Sequence, residues 1–440
     1  MLIPFARHSR PADYAAERVL NYFFHPQQEP SQGALLGRSG LVRLVQLSGP
    51  VRAMVELGSA LFVAAGSKLW RVQPGVSAVQ LGTIADDAFT SMDAIAGYVV
   101  LAAGGRYYVG SNSGVAQYST GQVSTARAVC ALDGYVAVAG SDATRGDRIA
   151  LSNVDNPFTF DGLDFATAET LSDRIVGMVR DHTEIQVIGS RSVQTYYNSG
   201  DQFPLSPNDG AFAERGCANG ATIAKTDSGV YWLGDDMMPY RRYGGAPEII
   251  GSAELNEYLA GQSVVGGFAF QDRGRKFYGL RLADGPSWVY NIATGLWSEY
   301  STGADHGPWR ATAACMIDGV QYIGTADGSI CTLGGWEDDG EVIRAEAWTV
   351  PITEQWTQLN RVEIHMDTGK GALGRDRAIN LELSRDGKQW GAPKPRSLGD
   401  QGAYRRVARW DALGRYRDHV QARWWITDPV QRDIYGGRIA

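Results

Sequence analysis

Residues 126–152 read ARAVCALDGYVAVAGSDATRGDRIALS, and this stretch decides the fold. Asp133-Gly134 separates two apolar runs, and that pair suits a two-residue hairpin because both residues tolerate positive φ. The run after the turn, YVAVAG, is apolar almost throughout, as a strand packed on both faces would be. A glycine ends it, and a third strand follows.

The same pattern recurs on both sides. Residues 51–84 contain VRAMVELGSALFVAAGSKLWRV, and 89–124 contain FTSMDAIAGYVVLAAGGRYYVG. Residues 174–207 contain RIVGMVRDHTEIQVIGSRSVQTYYN, and 221–252 contain ATIAKTDSGVYWLGDDMMPYRRY. Residues 265–302 contain GGFAFQDRGRKFYGLRLADGPSWVYNIATGLWSEYS, and 310–340 contain RATAACMIDGVQYIGTADGSICTL. Asp318-Gly319 and Asp327-Gly328 repeat the turn signal. A spacing of roughly 30–45 residues is that of propeller blades. The expected fold is therefore all-β: a β-propeller of seven blades, give or take one, over residues 51–340. The segment 1–50 either joins an assembly platform or supplies ring-closing strands, since closure removes exposed sheet edges.

After Gly340 the pattern changes to longer strands: RAEAWTVPI, LNRVEIHMDT, AINLELSRDG, RRVARWDALG and HVQARWWITDP. These predict a C-terminal antiparallel β-sandwich over 341–440. WEDDGE at 336–341 reads as the linker. Helical signals are few. AELNEYLAG at 253–261 predicts a short helix capped by Ser252, and residues 13–21 predict a weaker one.

The chain has 440 residues, 54 of them glycine, with 20 Tyr and 12 Trp, which suits short strands joined by tight turns. Net charge is −7. Residues 341–440 hold 17 Lys+Arg and 13 Asp+Glu, a balance of +4, so residues 1–340 carry −11. No dense basic face for sequence-independent DNA binding is expected. The charge split instead provides two unlike surfaces through which copies attract. No apolar run reaches membrane-spanning length, and no hydrophobic signal core opens the chain.

Candidate chemistry is sparse. Cys130, Cys217, Cys315 and Cys331 form no Cys-x-x-Cys pair, and the six histidines form no His-x-x-x-His pattern, so neither a metal site nor a cofactor is expected. The acidic pairs Asp86-Asp87, Asp235-Asp236 and Asp338-Asp339 raise a glycosidase reading, but adjacent strand residues face opposite sides, which favours turns. SRDGKQW at 384–390 falls one residue short of the aspartate box of sialidase-like propellers and reads as a structural hairpin. GGRYYVGSNSG at 104–114 lacks the Lys-Ser/Thr of a phosphate loop. Arg405, Arg406, Arg409, Arg415 and Arg417, with Trp410, are the candidate contacts between subunits or to DNA phosphates. A solvated strand face is the alternative for them.

Several stretches resemble the packaged-DNA stabilisation, or tail-hub, proteins of short-tailed bacteriophages. They are LNYFFHPQQEPSQGALLGRSGLVRL at 20–44, SDRIVGMVRDHTEIQVIGSRSVQTYYNSG at 172–200 and ERGCANGATIAKTDSGVYWLGDD at 214–236. WVYNIATGLWSEY at 288–300 and LELSRDGKQWG at 381–391 continue the match in the same order. Ser39 stands where that family often has proline, and Gln194 where it usually has glutamate. The resemblance implies a non-enzymatic virion tail protein, assembled in the host cytoplasm. Six copies would form a ring below the portal and its adaptor. The ring would retain the packaged genome, let double-stranded DNA pass through its lumen, and anchor a spike, fibre or plug. A carbohydrate-binding or carbohydrate-degrading propeller acting on a host glycan is the rival. It requires paired carboxylates or exposed tryptophans around one propeller mouth.

Overall fold

Each apolar run is shared between two seams, and that sharing builds the disc. Along Ala60–Ala65 every residue is buried. Leu61, Val63 and Ala65 face one hydrophobic cluster, while Ala60, Phe62 and Ala64 face the next. The period-2 alternation of a strand sends successive side chains to opposite neighbours, so both faces must be apolar. The computed structural model describes residues 6–11, 17–26, 33–73, 75, 77–142, 146–167, 173–201, 203–353, 357–370 and 377–440.

Seven sheets radiate as blades, at 51–83, 90–118, 125–167, 175–207, 224–249, 264–300 and 311–333. We number them I to VII. Their innermost strands are Val51–Leu57, Thr90–Ile95, Thr125–Leu132, Ile175–Asp181, Ala224–Thr226, Val264–Asp272 and Ala311–Ile317. Each seam between adjacent blades holds its own buried cluster, including the seam that joins VII to I. Asp133 and Gly134 take φ of 50° and 85°, and Asp318 and Gly319 take 48° and 78°, the left-handed pairs of the expected hairpins. Asp327-Gly328 differs. Only Gly328 is left-handed, and the Asp327 carboxylate instead pairs with Arg310.

The N-terminal segment contributes strands to both units. Leu41–Gln46 pairs antiparallel with Ser329–Leu333 and supplies the fourth, outermost strand of blade VII. The first and last parts of the propeller are thus held in one sheet. The hairpin Tyr22–His25 and Ala34–Gly37 joins the C-terminal unit. That unit has two layers. One contains this hairpin with Ile434–Ile439, Thr357–Met366 and Ala408–Tyr416. The other contains Ala345–Trp348, Gln421–Ile426, Ala378–Ser384 and Lys394–Ser397. Trp410, Trp424, Ile364 and Leu381 fill the space between them.

Val19–Leu20 bridges the two units. It pairs with blade VI through Leu20 and Glu299, and with the sandwich through Val19 and Ala347, giving one continuous nine-stranded sheet. The weaker helix read over 13–21 is therefore corrected: Val19–Leu20 is strand, Asn21 bends at a φ of 56°, and 13–16 lies outside the described residues. The other expected helix is present as Ala253–Ala260, with the Ser252 hydroxyl accepting the Leu255 amide. No helix among the described residues is long and apolar enough to cross a membrane.

Candidate functional site

The propeller bore is a cavity of ≈ 660 Å³ lined by all seven blades. Its wall is mostly small: Ala53, Gly177, Gly220, Gly266, Gly267 and Ala314 leave it open. Over six residues of strand, about 20 Å at ~3.3 Å each, this volume corresponds to a width of roughly 7–9 Å. Duplex DNA, whose two grooves alone are about 8.5 and 7.5 Å deep, does not fit. Among the described residues six charged side chains line the bore: Arg52, Asp87, Asp93, Arg180, Lys225 and Arg281. Both carboxylates are engaged by backbone. Asp93 accepts the Ala94 and Ala131 amides at 2.8 Å each, and Asp87 accepts those of Ala88 and Gly104. Burial raises the Asp93 pKa above the usual carboxylate range against those two hydrogen bonds. Neither a free carboxylate pair nor a tryptophan is found among the described lining residues.

The second assembled site is the junction between propeller and sandwich. The paired strands Tyr22–His25 and Ala34–Gly37 alternate, so Tyr22 and Leu35 enter the sandwich core while Phe23 and Leu36 enter the seam between blades VI and VII. Gly40 is forced here, because a Cβ on it would lie 2.1 Å from the Glu337 carbonyl oxygen. Beside it, Arg38 and Asp338 are both fully buried and form a two-pronged pair, Nη1 to Oδ1 at 2.8 Å and Nη2 to Oδ2 at 2.6 Å. Arg38 also donates to Asn21 Oδ1 and to the Ser301 carbonyl, both at 2.7 Å. WEDDGE is therefore a clamped junction rather than a linker, and Asp338 is an ion-pair partner rather than a turn residue. A second pair, Arg273 and Asp433, ties blade VI to the last sandwich strand at 2.7 Å. Ser39 gives Asp272 its amide at 2.9 Å and its hydroxyl at 2.6 Å, contacts that a proline there could not make. Arg432 is fully buried above Gly37, its Nη2 donating to the Trp336 carbonyl, and burial brings its pKa down to about 10.

The arginine cluster lies on strand Ala408–Tyr416 and in the turns that flank it, at the free edge of a sandwich sheet. Arg405, Arg406, Arg409, Arg415 and Arg417 are exposed. Arg409 pairs with Glu363 at 2.8 Å, and Arg417 with Asp418 at 3.1 Å. Trp410 is corrected: it is fully buried in the sandwich core, its indole donating to the Lys394 carbonyl at 2.7 Å, and cannot touch a second chain. The strand alternation that exposes Arg409 buries Trp410. A register shift opposite Ala412 and Gly414, both at positive φ, bulges this edge. Bulges and cationic side chains block strand addition, so contacts here run through side chains. Tyr404 and Val407 stand exposed among these arginines.

The remaining candidates are structural. Asp235 and Asp236 both pair with Arg215, at 3.0 and 2.9 Å. Asp386 caps its own hairpin by accepting the Lys388 and Gln389 amides. Gln194 is buried and accepts the Tyr196 hydroxyl at 3.0 Å. Burial pushes the Cys217 and Cys315 thiols up to about 11 and Cys331 up to about 12, which leaves none of the three ionised at neutral pH. Among the described residues no group of His, Cys, Asp and Glu is arranged to hold a metal. The junction residues Asn21, Arg38, Arg273, Asp338 and Asp433 were invisible as a site in the sequence. Their one local signal is a lone arginine inside the apolar stretch ALLGRSGLV.

Comparison with known proteins places these two units. Among curated proteins no relative matches. Solved propellers align weakly. The Pan2 WD40 domain of Neurospora crassa is 8% identical over 70% of this chain and 97% of its own, with a TM-score of 0.44. BamB from Moraxella catarrhalis is 14% identical over 73% of this chain and 97% of its own, with a TM-score of 0.41. The family model for the β-propeller of bacteriophage P22 Gp10 matches residues 1–334, and that for the P22 Gp10 β-sandwich matches residues 346–440. The chain therefore belongs to the bacteriophage P22 Gp10 family of phage tail structural proteins.

Proposed function

We propose that copies of this protein form a closed ring, six in number as the resemblance implies, that acts as the hub or nozzle of the tail. The ring continues the channel of the portal and its adaptor, retains the packaged DNA, and holds a spike, fibre or plug at its far side. One observation carries this reading: propeller and sandwich are locked into one body by a shared nine-stranded sheet and buried ion pairs, with a basic, edge-protected rim at the sandwich end. A head-to-tail ring needs two unlike surfaces on each copy. The rim arginines and the acidic propeller, −11 over residues 1–340, supply them. DNA passes along the ring axis between copies, because the bore of a single propeller is too narrow for a duplex.

Native mass measurement and particle assembly test this. Wild-type protein, alone or on its adaptor, gives a single ring mass, and particles assembled without it lose their genome. Arg405→Glu with Arg406→Glu lowers ring yield at least tenfold while leaving the folded monomer intact. Genome-tight particles lacking the protein would overturn the proposal.

A further inference from the structure

The charge of the bore is opposite to that of the body around it. Residues 1–340 carry −11, yet the bore lining has four basic groups against two acidic ones, a balance of +2. The basic groups differ in their partners. Arg52 donates to the carbonyls of Gly66, Ala85 and Asp87. Arg180, Lys225 and Arg281 make no hydrogen bond or ion pair among the described residues.

These three are arranged along the bore. Arg180 and Lys225 each stand one residue before the end of an innermost strand, on adjacent blades IV and V, so they share one mouth. Asp93 faces them from blade II, near enough for its charge to act on both, but it forms no contact ion pair with either, and its oxygens accept the Ala94 and Ala131 amides. Glu56 is at the same level on blade I and stands outside the lining. Arg281 pairs in register with Gly266, near the opposite end of its blade's innermost strand. Aligned on the register shift that opens both strands, Gly266 matches Gly177, so three residues of strand, about 10 Å, separate Arg281 from the Arg180 level. Gly266 has no side chain to screen Arg281, whose Nη1 lies 3.9 Å from where a Cβ would stand. Burial lowers the Arg281 pKa, with no neighbouring charge to offset it.

From this geometry we propose that the bore binds a phosphate-class oxyanion at the Arg180–Lys225 mouth, and binds a linear polyphosphate more tightly because its chain runs on toward Arg281. Unpaired cations in a narrow, partly desolvated channel attract a multivalent anion more strongly than the same groups on an open surface. This site is independent of ring formation.

The experiment is calorimetric titration of the full chain with orthophosphate and with tripolyphosphate, at ionic strength fixed with sodium chloride. Tripolyphosphate should bind one per chain, at least tenfold tighter than orthophosphate. Lys225→Gln should weaken both ligands about tenfold. Arg281→Gln should weaken tripolyphosphate about tenfold and orthophosphate by less than threefold. Arg409→Gln, on the distant rim, should change neither. If Arg281→Gln does not fold, the exposed Lys225 decides. Equal affinity for the two anions, affinity unchanged by Lys225→Gln, or a comparable loss in Arg409→Gln would overturn the proposal.

Discussion

Replacing Arg38 by Met tests whether the buried pair holds propeller and sandwich together. Arg38 and Asp338 are both fully buried, so removing the cation leaves a carboxylate with no route to water. Breaking a buried pair in this way costs about 3–5 kcal/mol, whereas replacing both members with apolar groups is often nearly neutral. Asp338 keeps the Thr302 hydroxyl at 2.5 Å, which offsets part of the loss and favours the lower half of that range. Asn21 Oδ1 keeps the Ser301 amide at 2.9 Å, so only the Ser301 carbonyl is left without its Arg38 donor, at about 1 kcal/mol, and the net expectation is about 4–5 kcal/mol. The assay is urea unfolding followed by tryptophan fluorescence. Trp309, whose ring lies 5.3 Å from the Arg38 guanidinium, reports the junction directly. Arg38→Met, Asp338→Leu and the double variant complete a cycle, and the double variant should be more stable than either single one. A cost for Arg38→Met below about 1 kcal/mol, or single costs that simply add, would refute the reasoning.

Three further outcomes are expected. Glu346 is buried, which alone would raise its pKa, but His306 at 3.4 Å and hydrogen bonds from Arg344 and Trp348 hold it down to about 2. A depressed carboxylate stabilises the fold above its unfolded value of 4.5 and loses that contribution as pH falls toward 2. The urea midpoint should therefore drop across that window by the equivalent of about 3 kcal/mol, and Glu346→Gln should flatten the drop. Trp410→Ala should cost about 3–5 kcal/mol of stability, whereas Arg409→Gln should change monomer stability by less than about 0.5 kcal/mol, measured in the same denaturation assay. Gly40→Val should destabilise by at least about 2 kcal/mol, because its Cβ would collide with the backbone of Glu337, and the melting temperature reports it.

The blades were legible because their signals are local. A run such as YVAVAG states by itself that both faces are buried, and Asp133-Gly134 states the turn, since a hairpin brings together residues close in sequence. Seven such hairpins and a change of strand length at Gly340 were enough for a propeller followed by a sandwich. Asp327-Gly328 shows the limit of even that signal, because the Arg310 ion pair competes for the aspartate.

What only the tertiary structure decided is everything that depends on distant partners. Val19–Leu20 became a strand bridging two units, against its helical reading, because blade VI and the sandwich each offered it an open edge. Arg38 and Asp338 are 300 residues apart, and no local pattern tells a charged residue in a loop from one that will be enclosed with its partner. The same holds for Trp410, whose neighbours in sequence are Arg409 and Asp411 while its neighbours in space are the apolar residues of the opposite sheet. Local chain geometry determines strands and turns; which surfaces become interior is settled only when remote elements meet and exclude water.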